Sequence, residues 1–324
     1  MTPLVSIIIV NWNAKDYLEQ CINSLLSQTL SDFEIILVDN NSTDNSLELI
    51  EKKYTQIKLI KNNENVGFAE GNNVGIKHAK GKYIALFNPD AVAEKKWLSH
   101  LISVLDSSDR IAAVTGKMYY LDDKYGKDAV FCTWSKIDPY SANPYNFSGN
   151  EPMSKVDYVS GAAMVFKRSV IDTVGLLDRE YFLYFEETDW CARMIRAGYD
   201  LIYVPNAIVW HAVSPLSSSS NKIYYMERSR LRFAIKNFDA NYLLYFFGIF
   251  FLESSGIFGR DLKNRNFERT QIRFRAIMWN LTNFFKTIRI RKKHIKIIKS
   301  HTEIKSYNNS LPLKDIHHAG IGDQ

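Results

Sequence analysis

The chain has 324 residues, of which 46% are hydrophobic, 13% aromatic and 23% charged. Such a chain is long and apolar enough to bury a large core, which argues against global disorder, a collagen-like fibre and a small disulfide-stapled scaffold. Its three cysteines have no CxxC spacing, so neither a disulfide framework nor a cysteine zinc site is expected, and a reducing compartment is favoured.

Charge is distributed unevenly along the chain. Residues 221–324 contain 20 Lys and Arg against 8 Asp and Glu, and the rest of the chain contains 21 against 27. An acidic body can hold a cation, and a basic tail favours contact with an anionic surface. The apolar runs Leu4–Val10 and Tyr242–Leu252 are both well short of the roughly 20 residues that cross a bilayer. Neither a signal peptide nor a simple transmembrane helix is therefore expected.

The first 120 residues alternate between apolar runs and helical patterns. Strands are predicted at Val5–Val10, Phe33–Val38, Ile57–Ile60 and Tyr83–Phe87. Apolar residues at helical spacing predict helices over Tyr17–Leu26, Leu47–Tyr54, Ala69–Ala79 and Trp97–Leu105, with Thr43 as a cap of the second. This alternation is typical of a mostly parallel sheet with helices on both faces.

The pattern after residue 120 is less regular. Residues 122–156 lack periodicity and are predicted to form a long loop that can act as a lid. A strand over Val156–Phe166 and a helix over Ser169–Val174 follow, and the aromatic cluster Tyr181–Phe185 then precedes an acidic run that begins at Glu186. Ala207–Trp210 predicts a last strand before the basic tail.

Three polar clusters directly follow predicted strands: Asn11-Trp12-Asn13, Asp39-Asn40-Asn41 and Asn88-Pro89-Asp90. We expect them to lie together at the carboxyl edge of the sheet, where open α/β folds bind ligands. No GxGxxG follows the first strand, and the glycines at 67, 71 and 75 have the wrong spacing for a pyrophosphate turn. NAD and FAD are therefore not expected.

The acids and one histidine suggest a chemistry. Carboxylates after strand ends, with a late histidine, can hold a hard divalent cation that neutralises a diphosphate leaving group. A separate carboxylate can then remove a proton from an attacking hydroxyl. Sugar transfer from a nucleotide sugar needs both groups.

Longer motifs link this interpretation to a known protein family. In chain order the sequence contains VDNNSTDNS, NENVGFAEGNNVGI, FNPDA, the segment YVSGAAMVFKRSVIDTVGLLDREYFLYFEETDWCARMIRAGY, and VWH. This order, over residues 4–240, resembles the family 2 glycosyltransferases, in the branch that contains many bacterial rhamnosyltransferases. The resemblance implies a GT-A-like (Rossmann-like) α/β fold with a mostly parallel mixed sheet, and an inverting, metal-dependent transfer.

The resemblance also implies roles for residues on the donor side. Asp39 matches the aspartate that contacts the base or ribose of the donor, and Asn65 and Asn73 match polar positions beside the nucleotide. Asn11 and Asn88 are assigned to the same nucleotide side. The ordinary alternative for all five is a hydrogen bond within a turn or at a helix end.

Asn88-Pro89-Asp90 occupies the place of the family's DxD motif, with asparagine in place of the first aspartate. Asp90 is then the one anionic ligand that this motif can offer to Mg²⁺ or Mn²⁺. His211 matches a histidine that ligates the metal in some family members. The alternatives are an ordinary turn for the first motif and a structural histidine for the second.

The resemblance implies a catalytic role for the acidic run. Glu187 stands at the position of the general base and Glu186 forms the pair with it, while Asp189 is expected to orient the site. Gly161 and Trp190 are assigned to the acceptor side. A solvated helix N-terminus is the alternative for the clustered acids.

The predicted organisation has two parts. Residues 1–240 form the GT-A-like domain, with a nucleotide-binding half at 1–120 and an acceptor and catalytic half at 121–240, and residues 241–324 form a helical, basic, aromatic extension. An apolar stripe of Ile277, Leu281, Phe284 or Phe285 and Ile288 beside basic residues suits an anionic membrane surface. A core-packing helix with a solvated basic face explains the stripe equally well.

These observations predict a cytoplasmic enzyme that is peripheral at the inner face of the cell membrane. It adds one sugar, with rhamnose as a candidate, to a lipid-linked or cell-surface glycan. Without a QxxRW motif a processive synthase is not expected, and without a DNA or RNA module nucleic acid is not expected as a partner. Two alternatives stay open: a non-catalytic glycan-binding protein on the same fold, and a nucleotidyltransferase.

Overall fold

The structure is a computed structural model that describes residues 2–126, 129–133, 135–212 and 220–303. Its strands are β1 (Val5–Asn11), β2 (Phe33–Asp39), β3 (Lys58–Lys61), β4 (Tyr83–Phe87), β5 (Ala91–Ala93), β6 (Ile111–Tyr120), β7 (Val130–Cys132), β8 (Ser135–Ile137), β9 (Pro144–Asn146), β10 (Ser154–Lys155), β11 (Ala163–Lys167) and β12 (Asp200–His211). Its helices are α1 (Lys15–Leu26), α2 (Ser46–Lys53), α3 (Gly67–His78), α4 (Trp97–Asp106), α5 (Val170–Val174), α6 (Glu186–Arg196), α7 (Ser220–Asn237), α8 (Ala240–Lys263), α9 (Phe267–Thr282) and α10 (Phe284–Lys299).

The central sheet has the order β10-β12-β6-β11-β4-β1-β2-β3. The run β4-β1-β2-β3 is parallel, and so is the long pair of β6 and β12, whereas β11 lies antiparallel between β4 and β6. This mixed, mostly parallel sheet with helices on both faces is the predicted GT-A-like arrangement.

Alternation along the strands divides the core into two layers. In β1, Ile8 and Val10 pack on one face of the sheet and Val5, Ile7 and Ile9 on the other. Successive side chains of a strand point to opposite faces, so a strand that is apolar throughout is buried on both. The four strands predicted in the first 90 residues are all present, although β3 at the edge of the sheet is only partly buried.

The structure corrects several predicted elements. Thr43 does not cap α2, which begins at Ser46 after Asn45. The strand predicted over Val156–Phe166 begins at Ala163, because the residues before it turn and Ala163 N donates to Ser160 O. β5 and β6 were not predicted.

The predicted loop over residues 122–156 contains paired strands in its described residues. β7 pairs with β6, β10 pairs with β12, and β8 pairs with β9 in a small separate sheet. Strands of two or three residues are too short to show a period of two in the sequence. The prediction of a structureless segment is therefore wrong for the described part.

The basic extension is also more closely joined to the body than predicted. α9 and α10 both contact α7, and α10 also contacts α5 and α6. Ile298 of α10 is fully buried in the same core layer as β1. Ile298 thus attaches α10 to the core, whereas Leu281 and Phe285 of the predicted stripe are 62% and 81% exposed. Residues 304–324 of the predicted extension lie outside the described residues.

α8 is different, because most of its side chains are exposed. It has 24 residues, and within the described part of the chain it is the one helix that is long and apolar enough to cross a membrane by length and composition. The sequence prediction took only Tyr242–Leu252 as its apolar core. The helix continues past that window to Lys263.

Candidate active site

The ends of β1 and β2 form the first part of the site. Asn11 and Asp39 are direct neighbours in the sheet, and Asn11 Nδ2 donates to Asp39 Oδ1 at 2.7 Å. The hydroxyl of Ser42 also donates to Asp39 Oδ1, and the amide of Ser42 donates to Asp39 Oδ2. Both Asn11 and Asp39 are fully buried. Both carboxylate oxygens of Asp39 therefore already accept hydrogen bonds within the protein.

Asn65 stabilises the start of α3. Its Oδ1 accepts from the amide of Gly67 at 2.9 Å and from Nδ2 of Asn40 at 3.3 Å. Asn40 was not singled out from the sequence, although it lies in the same VDNNS motif as Asp39. Its position directly after β2 is the signal that could have identified it.

Asn73 has a structural role here. It is buried, its Nδ2 donates to the carbonyl of Leu177, and its Oδ1 accepts from the amide of the same residue. It thereby fixes the segment after α5 to helix α3. The structure therefore directs Asn73 to the protein interior, and it does not bring Asn73 together with Asn88 and Asp90.

The turn after β4 meets the end of β12. Asn88 Nδ2 lies 3.1 Å from His211 Nε2, and Asp90 Oδ1 lies 3.3 Å from the same nitrogen. β5, which follows this turn, pairs with β12, so that His211 is opposite Ala91. This pairing explains how residues separated by more than a hundred positions come to share one site.

The residues at this turn fit a divalent cation as a partial ligand set. When His211 Nε2 has no proton, it and Asp90 Oδ1 are two acceptors 3.3 Å apart, which a shared cation would stabilise. Asn88 Oδ1 is buried and has no hydrogen-bond partner among the described residues. In the described part of the chain, no group of three or more His, Cys, Asp or Glu side chains is arranged so that it could hold a metal ion. A metal here would need further ligands from substrate phosphates and water, as is usual for Mg²⁺.

The segment at Gly161 contacts both this turn and the side chain of Glu187. The carbonyl of Ala162 accepts from the amide of Asn88 at 2.8 Å. A Cβ at Gly161 would lie 3.2 Å from the ring of Phe68 and 3.5 Å from Glu187 Cβ. The segment at Gly161 therefore lies between the turn at Asn88 and the side chain of Glu187, and it packs closely against Phe68 and Glu187.

Glu186 and Glu187 open helix α6 and differ in exposure. Glu186 is buried, and its Oε2 has no hydrogen-bond partner among the described residues, whereas Glu187 is half-buried. Burial, followed by the charge of Glu187, raises the pKa of Glu186 well above its usual value. Burial also raises the pKa of Glu187 to about 7. Burial therefore disfavours the ionised form of Glu186, while Glu187 has a pKa suited to accepting a proton near neutral pH.

The backbone before these acids is strained. Phe182, Tyr184 and Phe185 have φ of 65°, 66° and 70°, a left-handed conformation that costs a non-glycine residue roughly 1–2 kcal/mol. The carbonyl of Phe182 accepts from the amide of Phe68 at 2.7 Å. Gly67 has φ +81°, and a Cβ there would be 2.5 Å from that carbonyl. The strained segment therefore packs directly on the start of α3, where only glycine fits.

Asp189 and Trp190 lie in the interior. Asp189 is fully buried and accepts from Arg193, Lys236 and Asn237. Trp190 is also fully buried, and its Nε1 donates to the carbonyl of Gly175. The structure does not bring either side chain to the space between Asn88 and Glu187.

Three cationic side chains of α7 contact the residues before α6, and these contacts were not predicted. Arg228, Arg232 and Lys236 are buried and bind the residues that precede α6. The sequence counted them only as part of a basic tail. Their spacing of four residues, which places them on one helical face between apolar residues, is the signal that could have identified them.

Comparison with known proteins identifies the family. Residues 6–175, more than half of the chain, match Glycosyl transferase family 2. An uncharacterized glycosyltransferase of Haemophilus influenzae is 28% identical over 251 residues, covering 76% of each chain. The UDP-Glc:alpha-D-GlcNAc-diphosphoundecaprenol beta-1,3-glucosyltransferase WfaP of Escherichia coli is 35% identical over 136 residues, covering 42% of this chain and 53% of that protein.

A solved structure gives the same result for the fold. GalNAc-T7, solved with UDP, GalNAc and Mn²⁺, superposes with a TM-score of 0.62 at 17% identity over 76% of this chain and 50% of that one. Identity at this level is informative about the fold alone. Together, the family match, the mixed sheet and the polar residues at its carboxyl edge lead to one conclusion: the chain belongs to glycosyl transferase family 2 and has the GT-A fold of that family's glycosyltransferases.

Proposed function

We propose that this protein transfers one sugar, with inversion at the anomeric carbon, from a nucleoside-diphosphate sugar to a hydroxyl of a lipid-linked or cell-surface glycan. The observation that supports this most is the convergence of Asn88, Asp90 and His211 with Glu187 across Gly161. Phosphate-binding and proton-accepting groups then lie on opposite sides of one small-residue segment. Rhamnose is one candidate for the sugar, on the motif resemblance alone.

Glu187 is the proposed general base. An acceptor hydroxyl must lose its proton as it attacks the anomeric carbon, and a base with a pKa near the working pH does this best. Burial raises the pKa of Glu187 to about 7, which meets that requirement. Burial and the charge of Glu187 raise the pKa of Glu186, which disfavours a second negative charge beside the base.

Asp90 and His211 are the proposed protein ligands of Mg²⁺ or Mn²⁺. When bound, the cation would neutralise the charge that develops on the departing nucleoside diphosphate. The presence of Mn²⁺ in the structure of GalNAc-T7 is consistent with this assignment. Asn88 would hold the donor beside the cation, because its Oδ1 has no partner in the described part of the protein.

Asp39, Asn11 and Asn65 remain the proposed donor-nucleotide side. They lie at the same carboxyl edge as Asn88, because β1 is paired with both β2 and β4. We propose that the turn at Ser42 opens when the donor binds, which would expose the Asp39 carboxylate. The name of the E. coli relative, which acts on a diphosphoundecaprenol-linked sugar, supports a lipid-linked acceptor.

A lipid-linked acceptor requires access to a membrane, and α8 and α9 suit that task. Leu244, Tyr245, Phe251 and Leu252 of α8 are 60–75% exposed, and Phe274 and Leu281 of α9 are 58% and 62% exposed. On each helix these positions recur at helical spacing, so both helices present an apolar face outward. Apolar faces of this kind mark membrane or protein contacts on a folded protein.

The opposite face of α8 is attached to the body at three points. Phe246 is fully buried, Glu253 Oε2 lies 2.9 Å from Arg230 of α7, and Asp261 Oδ2 lies 3.5 Å from Arg273 of α9. A helix attached along its whole length, with its apolar face outward, suits a position in the membrane interface better than a crossing. We therefore propose peripheral attachment at the cytoplasmic face of an anionic membrane, with the exposed basic residues Lys263, Lys292 and Lys293 near the lipid headgroups.

A thermal-shift screen tests the proposed function. UDP-, GDP- and dTDP-sugars are added with and without Mn²⁺, because a ligand that binds the folded state raises the unfolding temperature. The proposal expects stabilisation by a nucleotide sugar that is larger with Mn²⁺, and release of nucleoside diphosphate when a glycan acceptor is added. Release of pyrophosphate from a nucleoside triphosphate would instead indicate a nucleotidyltransferase, and stabilisation by glycan alone would indicate a binding protein.

A further inference from the structure

The segment that carries the catalytic acids begins and ends at a carboxylate held by the same lysine. Lys236 Nζ of α7 donates to Asp178 Oδ2 at 2.6 Å and to Asp189 Oδ2 at 2.8 Å. Asp178 precedes the strained residues, and Asp189 lies in the first turn of α6. All three side chains are buried. One ammonium group therefore joins the two ends of the segment that contains Glu186 and Glu187.

Further bonds from α7 hold the middle of the segment. Arg228 donates to the carbonyls of Glu180 and Tyr181, and Ser229 Oγ donates to the carbonyl of Leu183 at 3.3 Å. Three residues of this segment have positive φ, a conformation that persists only when the surrounding structure enforces it. Contacts that enforce it come from the start of α3, where the amide of Phe68 donates to the carbonyl of Phe182, and from α7, which lies outside the residues that match the family.

We propose that Lys236 is a positioning residue for catalysis: by binding Asp178 and Asp189 together, it holds the segment between them in the conformation that directs Glu187 toward the acceptor. This inference rests on the proposed function of Glu187 and adds to it a requirement for helix α7. In this proposal Lys236 does not contact a ligand. It acts on the position of Glu187 only by binding Asp178 and Asp189.

The charges around Lys236 make its removal tolerable to the fold. Asp178 also binds Arg232 at 2.8 Å, and Asp189 also binds Arg193 at 3.1 Å. Burial raises the pKa of each carboxyl, but the neighbouring cations outweigh it, so both pKa values lie below their usual range. Without the lysine, each carboxylate keeps one arginine. The variant Lys236→Met therefore loses the connection between the two ends without leaving an unpaired buried charge.

The test compares Lys236→Met with a matched variant on the same helix. Arg230 is also buried on α7, but it binds Glu253 and Asn143, away from the catalytic segment. Hydrogen–deuterium exchange of the full-length protein, without ligand, is measured for both variants and the wild type. We expect faster exchange of the amides between residues 179 and 186 in Lys236→Met, and unchanged exchange there in Arg230→Met.

Turnover supplies the second readout, with UDP-glucose, GDP-mannose or dTDP-rhamnose as the donor, whichever the wild type transfers. Displacing a catalytic group by about 1 Å can cost on the order of 100-fold, so we expect kcat of Lys236→Met to fall about 10- to 100-fold per folded molecule. The donor KM should change little, because β1, β2 and β4 do not contact Lys236. Lys236→Gln, whose amide is uncharged and reaches less far than the lysine ammonium group, should behave in the same way and serves if Lys236→Met does not fold.

The outcomes separate this inference from the proposed function. Wild-type transfer with normal kcat and normal exchange in both Lys236 variants would overturn the positioning role and leave the function intact. If the wild type transfers no sugar, the proposed function fails, and exchange alone then decides whether Lys236 holds the segment. A loss of kcat that appears equally in Arg230→Met would mean a general loss of stability and would also overturn the inference.

Discussion

Asn88 and His211 are 123 positions apart in the chain, yet Asn88 Nδ2 lies 3.1 Å from His211 Nε2. The contact joins the turn after β4 to the last residue of β12, and it orients the imidazole beside Asp90. The sheet brings the family's DxD position and the late histidine to one point through the short strand β5. That juxtaposition is the basis of the proposed metal site.

The choice of base within the acid pair can be tested by isosteric substitution. Glu187→Gln removes the proton acceptor, so turnover should fall by roughly 10²- to 10⁴-fold with donor affinity nearly unchanged. Glu186→Gln should retain most of the turnover, because the burial of Glu186 raises its pKa well above the usual value and disfavours the ionised form that a base requires. Steady-state kinetics measures the turnover of each variant, and calorimetry measures its affinity for the donor. If Glu186→Gln were inactive and Glu187→Gln active, Glu186 would be the general base.

Turnover should also depend on pH through Glu187. Burial raises its pKa to about 7, and only the ionised carboxylate can accept the proton of the acceptor. The value of kcat/KM should therefore rise with pH through about 7 and level off above it. A profile that is flat between about pH 5.5 and 8.5 would contradict a base with this pKa.

Glu186 should make the stability of the protein depend on pH. The unfolded chain ionises Glu186 with its ordinary pKa of 4.5, while burial and then the charge of Glu187 raise its pKa well above that value in the folded chain. The folded state binds more protons, so the free energy of unfolding falls as pH rises above the unfolded pKa, by up to about 1.4 kcal/mol per pH unit. Glu186→Gln cannot ionise. The unfolding temperature of Glu186→Gln minus that of the wild type should therefore be larger at pH 8 than at pH 5. An equal difference at the two pH values would contradict this prediction.

The membrane surface can be tested without truncating the chain. Removing residues after Asp239 would also remove Thr287, to which Arg232 donates, and Asn280, which binds the carbonyl of Arg228. Point substitutions are therefore better. The pair Phe251→Glu and Leu281→Glu should abolish co-sedimentation with anionic phospholipid vesicles, because it places charge on both outward apolar faces.

The control for that experiment is Met153→Glu, which changes a side chain of comparable exposure far along the chain from α8 and α9. Binding of the wild type should weaken with salt, since screening shortens the Debye length from about 10 Å at 0.1 M to about 3 Å at 1 M. Donor-induced thermal stabilisation should be the same in all variants. Equal sedimentation of wild type and the doubly substituted protein would assign the apolar faces to another partner.

The sequence was most informative where structure is local and periodic. The β1 to β4 strands and the first helices follow from runs such as Val5–Val10, since a parallel strand buried on both faces is apolar throughout. β5 and β7 have three residues each, and their pairing with β12 and β6 depends on partners distant in the chain. The apolar stripe predicted through Ile277 and Ile288 is divided by Asn283, which ends α9, and both isoleucines are partly buried.

The sequence identified residues of the candidate site better than it identified what each side chain does. The order of the motifs identified Asp90, His211 and Glu187 as candidates. The structure brings together the turn after β4, the end of β12 and the start of α6, which carry them. Asn73, Asp189 and Trp190 have the expected sequence context but direct their side chains inward. The contribution of Lys236 could not be read from its neighbours, because it depends on two carboxylates 58 and 47 positions away.

The most direct test of the account is the release of nucleoside diphosphate with Mn²⁺, a nucleotide sugar and a glycan acceptor, compared between wild type and Asp90→Asn. Asp90 is part of a partly exposed turn, so its substitution should leave the unfolding temperature nearly unchanged. We expect the wild type to release diphosphate and form a glycosylated acceptor only when the metal is present, and Asp90→Asn to do neither and to lose metal-dependent nucleotide binding by calorimetry. Normal transfer and an unchanged metal titration in Asp90→Asn would contradict the central claim.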